Sequence, residues 1–146
     1  MVSDTRTTAT MLTRAMDGVL AGLAGGVMFG ALMAMMGMLP MVAMLVGSTS
    51  PVVGAIVHLV ISAGLGVLFA LVVPAWSVAM TLVAGAVYGV VWWVLGPLLI
   101  MPTVLGMSQM VFVVDTTALF SLMGHVIFGV VAAAVLVALR RRRARA

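Results

Sequence analysis

The sequence predicts an all-α integral membrane protein, a four-helix bundle built from two tandem, parallel-related helical hairpins. Three observations carry that expectation: the extent of apolar sequence, its punctuation by glycine and proline, and an internal repeat. Of the 146 residues, 65% are hydrophobic and 7% are Asp, Glu, Lys or Arg, against roughly 25% charged residues in an ordinary soluble domain. No residue from Gly18 to Val114 carries a formal charge. A soluble fold this poor in charge would expose a continuous apolar face. A soluble enzyme, a nucleic-acid binder and a disordered chain are therefore excluded, and the main partner is the lipid bilayer.

A membrane span needs about 20 apolar residues, and the punctuation divides the chain into four. Residues 1–17 are a polar, Thr-rich tail, within which 5–16 form either a short interfacial helix or a frayed end. The apolar run after it far exceeds the roughly 7–15 residues of a signal-peptide core, so it reads as a retained first span. Span one covers 18–46 and stops at Gly47-Ser48-Thr49-Ser50-Pro51, with Ser50 expected to cap the next helix. Span two runs from Val52 to Val73 and ends at Pro74. Span three runs from Ser77 to Val104, interrupted at Gly96-Pro97 and Pro102. The largely apolar 106–116 segment is expected to lie in the interface, with Asp115 capping span four, 117–139. One transmembrane domain thus covers 18–139, with repeat 1 over 18–73 and repeat 2 over 77–139.

All seven cations are arginines. Arg6 and Arg14 precede span one; Arg140, Arg141, Arg142, Arg143 and Arg145 follow span four in the 140–146 tail. Basic residues at both ends and none in the internal loops place both termini in the cytoplasm of a plasma (inner) membrane protein. The arginine tail reads as a topological anchor, with a secondary hold on anionic lipid headgroups. The net charge of +4 is accounted for in this way and does not point to nucleic acid. Without cysteine there is no disulfide, thiolate metal site or thiol nucleophile.

A shift of 59 residues lays span one on span three, matching Gly26, Phe29, Gly30, Gly37 and Gly47 with Gly85, Tyr88, Gly89, Gly96 and Gly106. A shift of 67 lays span two on span four and matches His58 with His125. Equivalent spans run the same way, so the halves are related by an axis along the membrane normal. Small residues at four-residue spacing mark the packing faces: Gly18, Gly22, Gly26 and Gly30 on span one, and Gly54, His58, Ser62 and Gly66 on span two. Span three carries Gly85 and Gly89; span four carries Ser121, His125 and Gly129. These faces serve packing within one bundle, or else a seam between copies or with other membrane subunits. Trp76 is expected at the interface, and Trp92 and Trp93 within the span.

Ionisable residues inside spans raise a functional hypothesis. His58 and His125 are expected at one depth, facing a shared interior near the outer leaflet, with Met38, Met41 and Met101 nearby. Three readings compete. The pair holds a ligand, either a b-type haem through two histidines or a soft ion such as copper through His and Met. Alternatively it hydrogen-bonds across the bundle to Ser62, Ser121 or a carbonyl freed at a proline. As a third reading it lines a polar pathway of a small channel or transporter. The 15 methionines include Met33, Met35, Met36, Met38, Met41 and Met44, scattered around span one as adaptable apolar filler. No constellation of acid, base and nucleophile is visible, so an enzyme is not expected. The two-hairpin pattern, with GHVIFG at Gly124–Gly129 and GAVYGVVWWVLGPLL at Gly85–Leu99, resembles small four-span prokaryotic membrane proteins of unknown function. That resemblance implies the membrane bundle and no activity. The expectation is a non-enzymatic membrane protein, self-assembling or a subunit of a larger complex, with a paired histidine site and by default no cofactor.

Overall fold

The computed structural model describes residues 2–145, with side chains from Thr10 onward. Its helices are α1 (Val2–Met35), α2 (Leu39–Ala43), α3 (Pro51–Val72), α4 (Val78–Leu95), α5 (Met101–Val104) and α6 (Thr116–Arg143). Four stretches, Thr10–Met35, Pro51–Val72, Val78–Val104 and Thr116–Arg143, are long and apolar enough to cross a membrane. The protein is an all-α bundle of the multi-pass membrane kind. Helix α1 is continuous from Val2, through the N-terminal tail into span one; the side chain of Arg6 lies outside the described residues. At the other end α6 continues through Arg143.

Span one ends earlier than its hydropathy suggests, at Met35 and not at Val46. Gly37 takes φ 66°; its N–H donates to the Ala34 carbonyl (3.2 Å) and that of Met38 to the Met33 carbonyl (2.9 Å). This paired closure is a Schellman cap, which a left-handed glycine permits. The chain then forms α2 and a 3₁₀ turn, Met44–Val46, before Gly47, at φ 73°, closes a second cap of the same kind through Ser48 and Ala43. Gly106, the repeat equivalent of Gly47, closes a third through Met107 and Pro102.

Gly96, the equivalent of Gly37, behaves differently. A Schellman cap needs the N–H of the residue after the glycine, and that residue is Pro97, which has none. The expected interruption falls there, in a mild form. The helix widens into one π-turn, Gly96–Ile100, and continues as α5. Cap chemistry elsewhere is mixed. Asp115 accepts from Ala118 N at 2.8 Å, as its position implies. Ser50 stands at the N-cap of α3, but its side chain makes no cap bond; its backbone N–H donates to Ser48 Oγ at 3.1 Å instead.

The long helices form a ring in the order α3, α1, α6, α4. Helix α1 packs on both α3 and α6, and α4 packs on α6. The glycine ridges are consumed inside the hairpins. Gly18 and Gly22 lie against Gly66, and Gly26 against Ser62; in the second hairpin Gly85 lies against Gly129 and Gly89 against the His125 carbonyl. Register equivalents therefore meet register equivalents: Gly26 with Ser62 in one hairpin, Gly85 with Gly129 in the other. Gly54 is an exception, packing under Leu39 of α2. With its glycines buried against α3, the α1 ridge is not free to serve as a seam between copies.

The two seams between hairpins are unequal. Along α1/α6, Gly25 accommodates Phe128 and Gly124 accommodates the Phe29 ring. Along α3/α4, the backbones stay apart and aromatic side chains bridge them: the Tyr88 hydroxyl donates to the Leu65 carbonyl at 2.7 Å. The Tyr88 ring lies 5.0 Å from that of Phe69. The equivalents of Gly25 and Gly124 here are Ala84 and Val57, too large for the same approach.

At the end of the bundle that carries the termini, Ala21, Phe69, Ala70, Val73, Ala132, Ala133 and Leu136 form a closed core. Arg140 braces α6 against the end of α3, donating to the carbonyls of Pro74 (2.9 Å), Ala70 (3.0 Å) and Val73 (2.9 Å). Arg143 forks onto Asp17 at 2.7 and 3.1 Å, and Asp17 is only 3% exposed. Arg140 and Arg143 thus bind protein, leaving Arg141, Arg142 and Arg145 exposed for headgroups. Trp76 is half exposed in the connection beside them.

Candidate functional site

At the opposite end lie the two histidines, with Ser62 and Ser121. Early termination of α1 and the π-turn after α4 leave a cavity of about 440 Å³ there. His58, His125, Met38, Met41 and Met101 all line it. Ser62, Thr117, Ser121 and Asp115 add polar groups, and Met107, Met110 and Val113 from the 105–115 connection form part of the wall.

Each histidine is positioned by a small residue and a carbonyl. His58 faces α1, where Gly30 leaves room for the ring: a Cβ on Gly30 would stand 3.3 Å from its Cδ2. Its Nε2 lies 3.0 Å from the Gly26 carbonyl, which as an acceptor requires the proton on that nitrogen. His125 turns back along α6, its Nδ1 2.7 Å from the Ser121 carbonyl and 3.4 Å from Ser121 Oγ. Its Nε2 faces the π-turn, 4.0 Å from where a Gly96 Cβ would stand. In the neutral rings, lone pairs therefore remain on Nδ1 of His58 and Nε2 of His125.

The pair does not meet face to face as the repeat suggests. The Phe29 ring packs edge-on against both, its centroid 5.2 Å from the His58 ring and 4.7 Å from the His125 ring. Sequence reasoning marked Phe29 only as a repeat position; its place one residue before Gly30, on the face that meets both hairpins, was the available signal. Of the expected hydrogen-bond partners, Ser121 serves His125, and the other two are revised. Ser62 packs on Gly26, and the carbonyl that His58 uses belongs to an unbroken helix. A haem held by both histidines does not fit this arrangement, because the Phe29 ring packs on both imidazoles and His58 Nε2 is engaged with Gly26. A smaller ligand beside His125 meets no such obstacle.

Trp92 lines the same cavity and packs on Tyr88 at 6.1 Å, while Trp93 Nε1 donates to the Ala118 carbonyl at 2.8 Å, tying α4 to α6. The two tryptophans expected within the span have separate tasks, one at the cavity wall and one at a helix seam. Among the described residues no cluster of three or more His, Cys, Asp or Glu side chains stands ready for a metal, so any metal here would lean on thioethers. The only carboxylate in the lining, Asp115, is engaged as a helix cap. Set against family models, curated proteins and solved structures, the chain matches none.

Proposed function

We propose that this chain is a non-enzymatic binding protein of the plasma membrane, with both termini cytoplasmic and its cavity toward the outer side. Its ligand is small and neutral or singly charged, held between the two hairpins against the histidines. The observation that supports this reading is the convergence of both intramembrane histidines and the internal serines on one cavity of about 440 Å³, a size within the roughly 300–1,000 Å³ of small-molecule sites. Orientation rests on the arginines, all at the termini end. A continuous channel finds no support, because the termini half is filled by Phe69, Leu136 and their neighbours and cross-braced by Arg140. No acid–base pair accompanies the histidines, which favours binding over catalysis.

Access by a small uncharged reagent tests this reading. In nanodiscs, diethyl pyrocarbonate is expected to acylate His125, whose Nε2 faces the cavity, faster than His58. Ala118→Trp, which places an indole in the cavity, should protect both. Mass spectrometry of the digested chain reads the two sites separately. Failure to modify either histidine, or equal modification with the cavity filled, would overturn the proposal.

A further inference from the structure

We infer that the cavity is a site for a soft monovalent cation, Cu(I) or its redox-inert analogue Ag(I), with His125 Nε2 as the nitrogen ligand and Met101 and Met38 as thioether ligands. This rests on the binding reading above and names its ligand class. Three features of the site converge on that chemistry.

The first is the tautomer. A metal-ligating histidine characteristically donates its other ring N–H to a carbonyl or carboxylate, which fixes the ring and leaves the lone pair aimed at the metal. His125 does this: Nδ1 is 2.7 Å from the Ser121 carbonyl, and Nε2 makes no hydrogen bond and faces the cavity near Gly96. The second is charge. Apart from Asp115, the side-chain donors in the lining are neutral: imidazole, hydroxyl and thioether. Asp115 is exposed and turns Oδ1 to the α6 cap. Among the neutral donors a doubly charged ion would be poorly compensated in a low-dielectric site, whereas a single charge is tolerated far better. The third is softness. Thioethers select Cu(I) over the hard divalent ions that need carboxylate or water. Met38 and Met101 come from two different breaks, the Schellman turn after α1 and the start of α5. Both residues line the cavity that His125 also lines.

Titration of the full chain in nanodiscs with Ag(I), and with Cu(I) against a colorimetric Cu(I) chelator, tests the assignment. One equivalent per chain is expected, with a mixed nitrogen and sulfur shell by X-ray absorption. His125→Ala should weaken binding at least about 100-fold, the upper end of what even outer-shell changes cost. Should that variant not fold, Met38→Leu with Met101→Leu, close to volume-conserving, should weaken binding and remove sulfur from the shell. Gly64→Ala, at a position with open space around it, should bind as the parent chain does. No competition with the chelator, a shell without sulfur, affinity unchanged in the methionine double variant, or a preference for Zn(II) would each overturn the inference. If His125 is still acylated and protected by Ala118→Trp while Ag(I) does not bind, the cation assignment fails and the binding reading stands. If neither occurs, both fail.

Discussion

The α1/α6 and α3/α4 seams occupy equivalent places in the two-fold arrangement of the hairpins, yet one is closed and the other is held open. Gly25 and Gly124 let the first pair of helices meet through Phe29 and Phe128. Ala84 and Val57 stand at the same register in the second, and there Tyr88 spans the gap to Leu65. Association in lipid depends on how closely backbones approach, so two glycines suffice to make the difference. A repeat makes the hairpins alike internally, and small departures between them leave one seam open.

The largest test of this contrast is to give the closed seam the bulk of the open one. Gly25→Leu or Gly124→Leu should force α1 from α6 and cost about 3 kcal/mol, the upper part of the range for overpacking. Thermal unfolding in nanodiscs would measure it; a midpoint unchanged by either variant would mean the seam is not held by glycine. Next in size is the brace at the termini end. Arg140→Ala removes three contacts to carbonyls of α3 and its following turn and should cost about 1.5 kcal/mol, with Arg140→Lys recovering only part because an ammonium cannot fork as a guanidinium does. Tyr88→Phe should cost only about 0.6 kcal/mol, the average for a polar bridge between spans. Spin labels at Val60 and Val83 should nonetheless report a broader α3/α4 distance distribution, and an unaltered distribution would show that the hydroxyl does not set the gap. Smallest of all, Gly64→Ala should change stability by less than about 0.5 kcal/mol, while Gly66→Ala, whose Cβ would meet the backbone of Gly18 and Gly22, should be clearly destabilised. Equal effects at 64 and 66 would remove the geometric basis of the ridge.

Much of this was legible in the residues. Charge depletion between Gly18 and Val114 required lipid, glycine spacing marked the hairpin faces, and Asp115 was recognisable as a cap. The two histidines and the three methionines grouped with them line one cavity. What escaped was set by pairs of neighbours and not by periodicity. Gly37 and Gly96 look equivalent, but Met38 has the N–H that a Schellman cap uses and Pro97 lacks it. One glycine therefore ends a helix and the other widens it. The Phe29 ring packed on both histidines escaped for another reason: a side chain's placement across a seam depends on Gly124, a residue from the far end of the chain that no local pattern connects to it.

The Arg140 brace and the Asp17–Arg143 fork tie α1, α3 and α6 together at one end only. Stiffness is therefore distributed unevenly along the membrane normal. Movement of one hairpin against the other is expected to be a splaying about the arginine end, with an amplitude that grows with distance from it, as in tongs held at the hinge. Arg140 and Arg143 would then serve as its pivot. Backbone amides near Asp17 and Leu136 should exchange slowly with solvent deuterium, and those around Gly37 and Gly106 orders of magnitude faster.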